Sequence, residues 1–116
     1  MALSKVLIHI DELPKWPLAL GNIENLLQAA PPPGGCHYQV EIVANGPAVQ
    51  AYTAPGSQIA RMQSLAVRGV VFIACQNALR SNGISTQALP GFVHTVPAGI
   101  AELVDRQEEG WAYVKP

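Results

Sequence analysis

Cys75 ends an apolar run, VVFIAC (Val70–Cys75), and is followed at once by amides and helix formers, QNALRS. A thiol at the last position of a buried strand, immediately before a helix, meets the unpaired amide N–H groups and positive dipole end of that helix. Those donors favour thiolate over thiol, lower the cysteine's pKa and make it a nucleophile. The same position also suits a packed cysteine, because free Cys is among the most buried residue types. From position alone both readings stand.

The other chemistry-bearing residues are sparser. Cys36 follows PPPGG and precedes His37; neighbours in sequence rarely have the geometry to bind metal or activate a thiol, so Cys36 reads as a loop residue. There is no Cys-x-x-Cys of thioredoxin type. His9, His37 and His94 are scattered and show no zinc-ligand spacing, so no metal is expected. His9 and His94 each fall within an expected strand and read as packed histidines, open to partnership with Cys75 if the fold brings them near. Asn22 and Asn25, three apart on an expected helix, share a face and read as surface or interface amides. Asn45 and Asn77 are better placed, since both fall just past strand ends and their amides would hold an anionic sulfur without competing for its charge. Arg80 and Arg106 read as surface or subunit-contact charges.

The elements that position these groups alternate along the chain. KVLIHI (Lys5–Ile10) is a first strand, and Pro17–Ala30 carries Leu20, Ile23, Leu27 and Ala30 at helical spacing. PPPGG breaks that helix. A second strand over Tyr38–Ala44 ends at Asn45-Gly46, and a weak helical piece follows at Pro47–Tyr52. Ser57 reads as the N-cap of a helix that Gly69 stops. VVFIAC is the third strand, QNALRS a short helix, and ISTQALPG a further turn or helix. FVHTV (Phe92–Val96) is the fourth strand, Pro97 opens a helix closed by Gly110, and WAYV ends the chain as a short strand. Alternation without a repeat period predicts one α/β domain over residues 1–116 with a mostly parallel sheet of about five strands covered on both faces. In such sheets ligands gather outside the carboxyl ends of the strands. Asp11, Asn45-Gly46, Cys75-Gln76-Asn77 and Pro97-Ala98-Gly99 all fall there.

Bulk composition narrows the function classes. The chain has 116 residues, 49% of them hydrophobic and only 13% charged, with a net charge of −1. Charged residues usually make up roughly a quarter of a soluble domain, so apolar surface is expected to find a partner chain, and homo-oligomerisation is predicted. Without a basic run, the footprint for nucleic acid or anionic lipid is missing. The early apolar run is interrupted by Asp11 and Glu12, and no run approaches the roughly 18 residues of a membrane span. A cytoplasmic protein with free thiols is expected. No Gly-x-Gly-x-x-Gly follows the first strand and no Walker-type loop is present. No cofactor is expected.

GVVFIACQNALRSNGIS, together with VLIHIDELPKWPLALGNIENLL, EIVANGPAV and VPAGIAELVDRQEEGWAYVKP, resembles the DsrE/DsrF-like family of small sulfur-handling proteins over nearly the whole chain. The most specific stretches are ACQNAL and the tail from Gly99. The resemblance implies a three-layer α/β/α sandwich, assembly as a trimer or hexamer, and a cysteine that carries persulfide sulfur between a donor and an acceptor protein. Cys75 matches that cysteine by its place after the third strand. The chain is closer to the stand-alone branch of the family than to relay subunits of mixed complexes. The expected function is a sulfur-relay or persulfide carrier acting through Cys75, with Asn45 and Asn77 as anion-holding helpers. The alternative is a non-catalytic oligomeric binding or assembly module in which Cys75 is packed.

Overall fold

A computed structural model describes residues 3–29, 37–54 and 56–116. Five strands form one sheet: β1 (Leu3–Ile10), β2 (His37–Ala44), β3 (Val71–Cys75), β4 (Val93–Val96) and β5 (Ala112–Val114), in the order β4-β3-β2-β1-β5. Every pairing is parallel. Four α-helices connect them: α1 (Trp16–Gln28), α2 (Ser57–Val67), α3 (Gln76–Ser81) and α4 (Gly99–Glu108). The stretch Gly46–Tyr52 is a 3-10 helix, as are Leu13–Lys15 and Thr86–Ala88.

The layering follows from the handedness of the crossovers. From β1 to β4 the chain steps across the sheet in one direction, so right-handed connections keep α1, α2 and α3 on one face. The step from β4 back to β5 reverses direction and carries α4 across the other face, where it packs on β1 and β2. Three layers result, as the sequence predicts.

Strand alternation sorts the core accordingly. Ile8, Ile42, Phe72 and Val93 form one register row and face α1, α2 and the 3-10 helix in the larger core. There Trp16 packs edge-on to Tyr52 and stacks near Phe72, and its indole N–H donates to Ala48 O at 2.8 Å. Tyr52 is fully buried and its hydroxyl donates to Ile73 O at 2.9 Å, tying the 3-10 helix to β3 two residues before Cys75. Leu7, Val43 and Ile73 face the other way, under Leu103 of α4 and Trp111.

Boundaries differ from the expected ones by a residue or two, as helix and strand ends commonly do. The last helix starts at Gly99 rather than Pro97, because Ala98 is still extended (φ −143°, ψ 124°). Ser57 is the first residue of α2, and Gly56 holds the cap position. Cys36 and the PPPGG break lie outside the described residues.

Candidate functional site

The carboxyl ends of β1, β2 and β3 meet the first residue of α4 at one place. Cys75 is both the last residue of β3 and the N-cap of α3. Asn45 follows β2, and its backbone N–H donates to Ile10 O at 3.0 Å, which fastens it to the end of β1. The next residue, Gly46, sits in the left-handed region (φ 55°), and a Cβ there would stand 3.3 Å from Asp11 O, so glycine lets the chain turn this closely. α4 must cross the sheet end to reach its own face, and it does so with Gly99. A Cβ on Gly99 would stand 3.3 Å from Cys75 Cβ, 3.4 Å from Asn45 Cβ and 3.5 Å from Asn45 Nδ2. Glycine is therefore what allows the α4 start to lie against both side chains. Gly99→Val is expected to destabilise the fold by about 1–3 kcal/mol through overpacking; an unchanged urea midpoint would show that the junction has room.

Asn45 Oδ1 lies 3.1 Å from His9 Nε2, and His9 Nδ1 lies 2.6 Å from the Tyr113 hydroxyl on β5. Asp11 at the rim pairs with Lys115, Nζ to Oδ1 3.0 Å, and that hydrogen bond holds the Asp11 carboxyl below its ordinary range. Cys75 itself is 6% exposed, in contact with the larger core. It has a polar neighbour in Asn45 on the Gly99 side, and among the described residues it is a free thiol.

Of the three site residues expected from sequence, the structure brings Cys75 and Asn45 together. Asn77 is exposed on α3, where its Oδ1 accepts from Arg80. His94 is exposed on the edge strand β4, whereas His9 reaches the site. Asn22 and Asn25 are exposed on α1. The helix start beside Cys75 was expected to be that of α3, six residues long; the structure adds the start of the ten-residue α4. Tyr113 and Lys115 were not singled out in the sequence, since only the β1–β5 pairing places the chain end beside His9 and Asp11.

A second polar cluster lies under α4. Glu41, in the middle of β2, shares a register row with Leu7 and Val71 and is buried. Burial, followed by its hydrogen bond to Glu102 and that carboxylate's charge, pushes the Glu41 carboxyl up to about 8. Glu102 is held below its ordinary range, first by the hydrogen bond with Glu41 and then by Arg106. Arg106 Nε lies 2.9 Å from Glu102 Oε2 and 3.8 Å from Glu41 Oε2, and its Nη1 is 2.5 Å from Glu109 Oε1. Arg106, partly exposed, thus pairs with three carboxylates of its own chain. The signal for Glu41 was legible: an acid in mid-strand, flanked by Val40 and Ile42.

A cavity of about 390 Å³ opens elsewhere, between the starts of α1 and α2, lined by Leu13, Trp16, Ala51 and Gln58 among others, and by none of the expected site residues. Among the described residues no group of three or more His, Cys, Asp or Glu side chains is arranged to hold a metal ion, and no helix is long and apolar enough to cross a membrane.

Comparison with solved structures finds a protein of unknown function from Methanobacterium thermoautotrophicum, MTH1491, with a TM-score of 0.82 and 28% sequence identity over 100% of both chains. A search of curated proteins finds no match. The profile of the DsrE/DsrF-like family matches residues 14–116, which takes in Cys75, Asn45, Gly99 and Tyr113. With that match across most of the sequence and the five-stranded parallel fold, the chain belongs to the DsrE/DsrF-like family.

Proposed function

We propose that the protein is a sulfur-relay carrier that accepts sulfane sulfur on Cys75 and passes it on. The observation that carries this reading is the setting of the thiol: the end of β3, with Asn45 and the first residue of α4 packed around it. Membership of the DsrE/DsrF-like family supports it. The thiolate of Cys75 attacks the outer sulfur of a donor persulfide, R–S–SH. The Sγ–S bond forms, the donor S–S bond breaks, and R–S⁻ leaves to take up a proton; the sulfur moves without net oxidation. Attack by an acceptor thiolate on the outer sulfur of Cys75–S–SH reverses the step. Only 6% of the residue is exposed, so donor and acceptor must reach the sulfur at the strand end. Hand-over goes to the thiolate of an acceptor protein or of a small acceptor. The exposed Ile100, Val104 and Val67, with the low charge content, support a homo-oligomer, trimer or hexamer.

The test is mass spectrometry after exposure to a persulfide donor. Wild type is expected to gain one sulfur, about 32 Da by the chemistry of a single persulfide transfer, and Cys75→Ser none. Equal gain by both would remove Cys75 as the carrier. A second reading, an assembly module with Cys75 simply packed, is favoured by the burial of the thiol in the larger core; it requires that neither protein gain sulfur and that Cys75 resist alkylation in the folded state.

A further inference from the structure

Asn45, just past the end of β2, and Cys75, the last residue of the neighbouring β3, both approach the vacant Cβ position of Gly99. A carboxamide in that place has two ends with opposite effects on a sulfur anion. Its NH₂ group donates, and its oxygen repels. Which end faces Cys75 is decided by what holds the other.

The structure ties the oxygen elsewhere. His9 Nε2 is 3.1 Å from Asn45 Oδ1, so the ring nitrogen donates and the amide oxygen accepts. With the His9 proton on Nε2, Nδ1 carries the lone pair and accepts from the Tyr113 hydroxyl, 2.6 Å away. If His9 is doubly protonated, Nε2 still donates to Asn45, so the amide orientation is the same in either protonation state. Asn45 Nδ2 is then the end that faces the junction, 3.5 Å from the vacant Gly99 Cβ position. Three strands contribute in turn: β5 supplies Tyr113, β1 supplies His9, and the end of β2 supplies Asn45. Tyr113 also packs against the imidazole, with ring centroids 5.8 Å apart.

We propose that His9 and Tyr113 are positioning residues for the Cys75 site, holding the Asn45 carboxamide with its oxygen away from Cys75 and its N–H donors toward it. The proposal rests on the reading of Cys75 as a sulfur carrier, because only an anionic sulfur gains from those donors. It assigns Asn45 the contact with the sulfur, whereas His9 and Tyr113 act through Asn45.

The experiment is a double-mutant cycle on the alkylation rate of Cys75 by iodoacetamide, measured from pH 6 to pH 10 in the full chain. A hydrogen bond to a charged group is worth enough to change a rate by about tenfold. Asn45→Ala is expected to slow alkylation about that much at pH 7, with the difference shrinking toward pH 10, where an ordinary thiol ionises without a donor. His9→Ala is expected to slow it severalfold at pH 7 in the wild-type background and not at all in the Asn45→Ala background. Tyr113→Phe removes a single exposed hydroxyl, keeps the ring contact, and is expected to give a smaller slowing that also disappears with Asn45→Ala. An equal effect of His9→Ala in both backgrounds, or a slowing that persists unchanged at pH 10, overturns the positioning roles. Should His9→Ala not fold, Tyr113→Phe alone decides by the same criterion. Sulfur uptake from a persulfide donor, run on the same proteins, separates the two ideas. Uptake with an additive cycle removes the positioning roles alone, and a coupled cycle without uptake removes the carrier reading alone.

Discussion

Raising the pH from 5 to 9 is expected to destabilise this protein by on the order of 3 kcal/mol through one side chain, Glu41. In the unfolded chain its carboxyl ionises in the ordinary range; in the folded protein it does so near 8, chiefly because β2 buries it under α4 and next because it shares a hydrogen bond with the anionic Glu102. Between those values the folded state holds a proton that the unfolded state has released. Stability from this group is therefore complete below its ordinary value and is lost as pH rises through about 8. Glu102 works with the opposite sign, since its carboxyl is lowered, so its contribution is present at neutral pH and is lost only in acid. The pH 5–9 window thus isolates Glu41. A domain of this size loses about 4 °C of melting temperature per kcal/mol, so the wild-type midpoint should fall by about 10 °C across it. Glu41→Gln keeps an N–H donor for Glu102 and cannot ionise. Its melting temperature should match wild type at pH 5 and exceed it at pH 9. Parallel curves for the two proteins would mean that Glu41 is ionised in the native state throughout, with Arg106 as its counter-charge.

The larger core predicts an effect of similar size. Trp16 is 1% exposed, packs on both Tyr52 and Phe72, and donates its indole N–H to Ala48 O. Trp16→Ala leaves a cavity and an unpaired carbonyl, and substitutions of this kind cost about 3–5 kcal/mol. Native domains hold only about 5–15 kcal/mol, so Trp16→Ala should unfold at a much lower urea concentration or fail to fold at ordinary temperature. Trp16→Phe keeps most of the volume and loses the hydrogen bond, and about half the cost is expected. A shift under 1 kcal/mol for Trp16→Ala, on the scale of the substitution costs above, would show that the site collapses around the truncation. The effect matters beyond stability because the 3-10 helix that Trp16 clamps carries Tyr52, whose hydroxyl is bonded to β3 two residues before Cys75.

The positions where reading and structure part share a cause. Asn45 and Asn77 are equivalent in the sequence, each an amide just past a strand end. Asn45 stands beside Cys75 because β2 and β3 pair in register up to Ala44 and Ala74, while Asn77 lies on the exposed side of a six-residue helix and engages Arg80. His9 and His94 are also equivalent in pattern, and Ile73 pairs with His94 in the same register row that continues through Val43 to His9. One ends at the covered side of the sheet beside β5 and Tyr113; the other ends at an exposed edge.

The alternation of apolar runs with helical periodicity was sufficient to specify the parallel α/β sandwich, the identity of its strands and the place of Cys75 at a strand's carboxyl end. These depend on local propensity and pattern, which neighbouring residues carry among themselves. Strand order and crossover hand decided the rest. They brought β5 beside β1, laid Gly99 against Cys75 and Asn45, linked Tyr113 to His9 and buried Glu41 under α4. Contacts between residues tens of positions apart arise only when the sheet closes, and no local pattern encodes which of two similar asparagines or histidines will meet a given sulfur.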